Sequence, residues 1–210
     1  MKLYLSSYKV PTPVDLIELI GKPANQIKVA LVLNAKDYYA PRAWNFKSRE
    51  LVTYFGGLGL KADPIDLRLH RDAQILKNLL SEYDLIWCMG GNTFCLRYEM
   101  QQSGFDTIIA DLIEAGIVYG GDSAGALVAG PSIRGVEEAD EPEFAEAVVP
   151  EGLNLVSFVP LPHVGSLEYG EAIAKMKELY IAEGAEIVEL TDLQALIVSG
   201  KDRKIVVKLP

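Results

Sequence analysis

The amino-acid sequence predicts an α/β protein built on a mostly parallel sheet, and three observations carry that expectation. Short β-branched and aliphatic runs alternate with stretches of helical periodicity along most of the chain. The run KVALVL at residues 28–33 is apolar at nearly every position, as strands buried on both faces of a parallel sheet are. Two strand-to-helix connections are glycine-rich, Gly90-Gly91-Asn92-Thr93 and Gly120-Gly121-Asp122-Ser123. In such sheets these connections fall at the carboxyl edge, where ligands bind.

The elements follow in order. Residues 2–6 read as a first strand. Thr12, Pro13 and Asp15 then open a helix, as N-cap, first-turn proline and dipole-matched acid, and Gly21 closes it. Strand 28–33 leads into a helix over about 42–55. Residues 62–67 form a weaker strand, interrupted by Pro64, and 72–83 carries Ile75, Leu76, Leu79 and Leu80 at helical spacing. Strand 84–89 runs into the first glycine-rich turn, then a helix with Phe94, Leu96 and Met100 and a second over 107–115. A β-like segment from Val118 enters the second turn, and a small apolar helix leaves it.

The stretch 131–150 is acidic and loop-like (Glu137, Glu138, Asp140, Glu141, Glu143, Glu146), and reads equally as a flap over the sheet edge or as a solvated loop. Residues 155–161 look like a strand that delivers Pro162 and His163. An amphipathic helix over 171–182 follows, with Ile173, Met176, Leu179 and Tyr180 on one stripe. Three short strands, 186–190, 194–198 and 204–208, are joined by segments spaced like tight turns between paired strands.

Composition narrows the function classes. A chain of 210 residues, 50% hydrophobic, is most simply one domain over 1–210, able to bury about 70% of its unfolded surface. Twenty Lys and Arg against 29 Asp and Glu give a net charge of −9, and no basic run favours nucleic acid. No apolar run approaches the roughly 20 residues of a membrane span. Cys88 and Cys95 are too few for a disulfide scaffold, and residues 1–10 lack the apolar core of a signal peptide, so the expected location is cytoplasmic. Two distant histidines and two cysteines offer no metal-ligand spacing, and no cofactor is called for. A homodimer is left open.

The chemistry centres on Gly121-Asp122-Ser123-Ala124-Gly125. This fills G-x-S-x-G, the nucleophile elbow, in which small neighbours let the chain turn sharply and present the serine hydroxyl. A plain glycine-rich turn has the same pattern, so a base is required. His70 lies between a strand and a helix, whereas His163 ends a strand beside Pro162 and Gly165, as a loop-borne base would. Asp192, between two strands after the following helix, suits the carboxylate that fixes the imidazole tautomer. It reads equally as an ordinary turn aspartate, with Glu138 and Asp140 of the acidic stretch as alternatives. Ala124 N–H and the Gly90-Gly91 turn can supply an oxyanion hole.

Together, Gly90-Gly91-Asn92-Thr93-Phe94, Gly121-Asp122-Ser123-Ala124-Gly125-Ala126, Pro131-Ser132-Ile133-Arg134 and Pro162-His163 resemble the peptidase E family of serine peptidases, the aspartyl dipeptidases, to which cyanophycinases are related. The resemblance spans roughly residues 1–198. It implies a three-layer sandwich similar to class I glutamine amidotransferases rather than a true α/β-hydrolase. It also implies hydrolysis of short peptides, as a dipeptidase or N-terminal exopeptidase. By the same resemblance Ser123 is the nucleophile, His163 the base, and Gly91 and Ala124 the oxyanion donors. Asn92 and Asp122 are the expected substrate contacts. Asp192 falls where aspartyl dipeptidases carry glutamate, and Asp122 where they carry tryptophan. The family's arginines after the histidine have no counterpart between His163 and Glu183. The expected preference is therefore a neutral or basic first residue rather than aspartate.

Three other readings compete: a serine esterase of α/β-hydrolase type, a thiol amidotransferase or glutaminase, and a non-enzymatic binding protein of the same fold. The thiol reading needs cysteine on the elbow, where serine stands.

Overall fold

The computed structural model describes residues 1–209. Its centre is a seven-stranded sheet in the order β3-β2-β4-β5-β1-β8-β9. Five strands run parallel: β1 (Lys2–Ser6), β2 (Lys28–Val32), β3 (Lys61–Ile65), β4 (Leu85–Cys88) and β5 (Val118–Asp122). The last two, β8 (Gln194–Ser199) and β9 (Asp202–Val207), extend it antiparallel from β1. Pro64 is tolerated because β3 is an edge strand, where a missing N–H costs little.

Alternation along the strands produces two cores. Leu3, Leu5, Ala30, Val32, Ile86 and Cys88 face one side, with α3 (Ala73–Leu80), α4 (Thr93–Gln102), α5 (Phe105–Glu114), α6 (Ala124–Leu127) and α7 (Gly170–Ala182) packed over them. Tyr4, Val29, Leu31, Leu85 and Trp87 face the other, under α1 (Pro13–Ile20) and α2 (Pro41–Gly57). A period of two with both faces covered gives a three-layer α/β/α sandwich. Among the described residues no helix is long and apolar enough to cross a membrane.

Two parts differ from the sequence expectation. Only Val159–Leu161 of the stretch 155–161 is a strand, β6, and it lies outside the main sheet. The preceding N–H groups of Leu153, Asn154 and Leu155 bond instead to the carbonyls of Val128, Gly130 and Ala129 behind the elbow, which leaves no free edge for a longer strand. Likewise β7 (Ile187–Glu189) does not pair with β8. It runs parallel to β6, in a separate two-stranded sheet, so the segment at 191–193 is a crossover between sheets rather than a hairpin turn. One cap also differs: Thr12 precedes α1 but makes no side-chain cap, since its hydroxyl lies 2.9 Å from the Tyr4 hydroxyl.

Residues 131–150 lie against α4 as a flap. Thr93 donates from N (2.8 Å) and Oγ1 (2.6 Å) to the Asp140 carboxylate. Asn92 donates to the Glu141 carbonyl at 2.8 Å, and Tyr98 to Glu146 at 2.7 Å.

Candidate active site

Ser123 stands between β5 and α6 with φ 51° and ψ −112°, a left-handed backbone that costs a non-glycine residue about 1–3 kcal/mol. Its neighbours hold it there. Ser123 N–H donates to the Ser6 carbonyl at 3.1 Å, and its own carbonyl accepts from Ala126 and Leu127 at 3.0 and 2.9 Å. Gly125 is pressed against β4 so closely that a Cβ there would lie 1.9 Å from the Cys88 carbonyl oxygen. The spacing of the elbow therefore reflects contact between backbones, not loop flexibility.

His163 follows β6 and brings Nε2 to 2.9 Å from Ser123 Oγ. Its Nδ1 lies 2.7 Å from Asp192 Oδ1, and Asp192 follows β7. Pairing β6 with β7 is what places base and acid side by side, since Leu190 N–H bonds the Leu161 carbonyl and Val164 N–H the Leu190 carbonyl, both just outside the strands. His163 too has a left-handed backbone, φ 60°. Its ring is buried and lies 4.9 Å from that of Tyr169. With Nδ1–H directed at the carboxylate, Nε2 is left free to accept the Ser123 proton.

None of the other acid and base candidates bonds His163 or Ser123, although Asp140 lines the cleft. His70 ends a short turn ahead of α3, Glu138 pairs with Lys175 at 3.4 Å, and Asp140 is bound to Thr93 at the start of α4. Neither thiol is on the elbow, and burial pushes both Cys88 and Cys95 up to about 12, far from a thiolate nucleophile.

The Gly90-Gly91 turn borders Ser123 directly: a Cβ on Gly90 would lie 2.8 Å from that of Ser123. Gly91 has φ 148° and faces the Ala35 carbonyl, 2.3 Å from where its own Cβ would be. Only glycine fits this position. Ala124 is the first residue of α6, so its N–H has no partner within the helix. The two expected oxyanion donors thus stand on the two turns that flank Ser123.

The model of Peptidase family S51 matches residues 18–206. The chain belongs to peptidase family S51. An uncharacterized peptidase of Listeria monocytogenes is 32% identical over 146 residues, which is 69% of this chain and 70% of that protein. Peptidase E of Shewanella baltica is 28% identical over 174 residues, covering 80% and 69%. A crystal structure from Listeria monocytogenes EGD-e, assigned to peptidase E, superposes with a TM-score of 0.82 at 24% identity over 98% of both chains. That likeness shows the fold.

In this S51 peptidase the cleft beside Ser123 measures about 690 Å³, and Asp122 and Asn92 are both among its lining residues. Asp122, expected to meet substrate, is buried, and its Oδ1 accepts the Trp87 indole N–H at 2.9 Å. Burial raises its pKa, against the Trp87 donor and nearby backbone of Lys9 and Gly90. Asn92 also lines the cleft, yet its side chain caps Cys95 N–H of α4 and holds Glu141 of the flap. Charge of both signs lines the cleft, Lys9, Lys36 and Lys47 together with Glu50, Glu141 and Glu168. Lys9 and Lys36 line it with no carboxylate within ion-pair distance among the described residues, and their ammonium groups lie over the rings of Tyr8, Tyr54 and Tyr39. The segment downstream of His163 has no arginine, and the fold adds lysines from the loops after β1 and β2.

Two residues escaped the sequence reading. Tyr169 covers the imidazole, and Ser7, fully buried at the end of β1, touches both His163 and Asp192. Their one signal was position: Ser7 is a hydroxyl at the carboxyl end of a parallel strand, where ligand-binding groups gather.

Proposed function

We propose that this peptidase hydrolyses short peptides by serine chemistry, with Ser123 as nucleophile, His163 as general base and Asp192 as the orienting acid. The observation that carries the reading is the unbroken chain Ser123 Oγ, His163 Nε2, His163 Nδ1, Asp192 Oδ1, with steps of 2.9 and 2.7 Å.

The geometry suits acyl transfer. His163 Nε2 takes the Ser123 proton as Oγ attacks the scissile carbonyl, and the oxyanion faces the N–H groups of Gly91 and Ala124. The imidazolium, steadied by Asp192, then gives that proton to the leaving amine. Water enters by the same route in reverse and releases the acid product from Ser123. A cleft of about 690 Å³ is the size of a small-ligand site, which supports a dipeptidase or N-terminal exopeptidase. Lys9, Lys36 and Lys47 line the cleft together with carboxylates such as Glu141 and Glu168, and with no arginine among the lining residues the reading favours a neutral or basic first residue over aspartate.

A panel of dipeptides and tripeptides analysed by mass spectrometry tests this, with wild type and Ser123→Ala run side by side. Wild type should release free amino acids from Ala-Leu or Lys-Leu faster than from Asp-Leu. Ser123→Ala should release none while keeping the wild-type Tm. Peptide turnover that survives in Ser123→Ala would sink the serine mechanism.

A further inference from the structure

The nucleophile belongs to the main sheet, whereas the base and acid belong to the small β6-β7 sheet. Few polar contacts join the two at the site, and Ser7, just after β1, makes two of them, while its neighbour Ser6 bonds the nucleophile within the main sheet. The Ser6 carbonyl accepts the N–H of Ser123 at 3.1 Å. Ser7 Oγ accepts the N–H of His163 at 2.7 Å and lies 2.6 Å from Asp192 Oδ1. Ser7 is itself fixed, fully buried, with its N–H on the Gln194 carbonyl of β8 at 3.3 Å.

Proton bookkeeping decides what the Ser7 hydroxyl does. Its Oγ lies 3.5 Å from His163 Nδ1, but that nitrogen directs its proton to Asp192 at 2.7 Å and so has no lone pair to offer. The Ser7 O–H therefore donates to Asp192 Oδ1, and a lone pair on Oγ receives the His163 N–H. Asp192 Oδ1 holds two donors at once, on a side chain that is 46% exposed. A half-exposed carboxylate with a single partner would be free to rotate into water.

Resting on the serine mechanism above, we infer that Ser7 is a positioning residue. It aligns Asp192 with His163 and holds the left-handed His163 backbone, which registers the acid-base pair against Ser123. It touches neither substrate nor the reacting atoms.

Kinetics of Ser7→Ala, alone and combined with Asp192→Asn, test the inference. In Ser7→Ala kcat should fall about 10- to 100-fold with KM within about twofold of wild type, the pattern of lost transition-state orientation. In the Asp192→Asn background the same substitution should cost less than about twofold, since the residue it acts through is already disabled. Ser7→Cys fills the same space with a weaker donor and should fall between wild type and Ser7→Ala; it carries the test if the alanine variant does not fold. Wild-type kcat in Ser7→Ala or Ser7→Cys overturns the inference, as does an equal loss in both backgrounds, which would mark a purely structural role. Throughout, Ser123→Ala is the control: if it retains turnover, the serine mechanism fails rather than the role of Ser7.

Discussion

The two halves of the candidate site are held by different physics. Around Ser123 the chain is locked by shape: Gly125 against Cys88, Gly121 against Gly125 and Gly90 against Ser123 leave no room for a single added carbon. Around His163 and Asp192 it is held by polarity, through hydrogen bonds from Ser7 and a pairing of two three-residue strands. A half fixed by shape should fail by misfolding. A half fixed by hydrogen bonds should fail by misorientation, with the fold intact.

The largest effect expected from this contrast is in the elbow. Gly125→Ala places a Cβ 1.9 Å from a backbone oxygen on β4, and α6 cannot retreat from that central strand without pulling the elbow off the sheet. Destabilisation of more than about 4 kcal/mol is expected, read as loss of soluble folded protein or of the denaturant transition. A folded variant with a wild-type midpoint would show that the elbow is less tightly packed than its geometry implies.

On the other half, Asp192→Asn should leave Tm within a few degrees of wild type and lower kcat by something on the order of 10³ to 10⁴, through the wrong imidazole tautomer. Asp192→Glu keeps a carboxylate on a half-exposed side chain, and should retain more activity than Asp192→Asn. Near-wild-type turnover in the asparagine variant would remove Asp192 from the mechanism.

The same contrast explains what was legible in the sequence. The elbow is written in neighbouring residues, because small side chains at fixed spacing are what a tight strand-to-helix turn demands, and so Ser123 could be singled out directly, whereas only the family resemblance picks Gly91 from the Gly90-Gly91 turn. The parallel character of the sheet was legible for a similar reason, in the unbroken apolarity of residues 29–33. The pairing of β7 was not. Residues 186–190 and 194–198 have the same local character, and only the distant contact of Leu190 with Leu161 assigns the first to a separate sheet. His163 and Asp192 could be picked as residue types at strand ends, but their apposition depends on that sheet. Ser7 depends on it as well, and no residue near it in sequence hints at the partners it meets more than 150 positions away.

The flap lies between the two regimes and should respond mildly. Asp140 caps Thr93 at the start of α4 through two hydrogen bonds, while Asn92 caps the same helix independently. Asp140→Ala should therefore cost about 1 kcal/mol of stability, measurable as a shift in the urea midpoint. It should also loosen the wall of the cleft, raising KM more than it lowers kcat. An unchanged KM would separate the flap from substrate binding.

The smallest effect is the one that tests whether the shape-locked half tolerates charge. Asp122, one residue before the nucleophile, is buried with its Oδ1 on the Trp87 indole, and burial raises its pKa above the ordinary aspartate value of 3.8. The folded protein therefore binds this proton more tightly than the unfolded chain does. Stability should fall as pH rises above about 4, the ordinary carboxylate value, and level off once the folded group has ionised, by about 1.4 kcal/mol for each pKa unit of displacement. Asp122→Asn copies the protonated form and has no such penalty. Its Tm should match wild type in acid and exceed it increasingly toward neutral pH, with KM for a neutral dipeptide unchanged because the carboxylate is turned into the protein. If instead the asparagine variant is less stable at neutral pH, the ionised carboxylate earns more from its donors than burial takes away. If KM rises for peptides with a free amino terminus but not for N-acylated ones, Asp122 meets the substrate amine after all, and this half of the site is held by polarity as well as by shape.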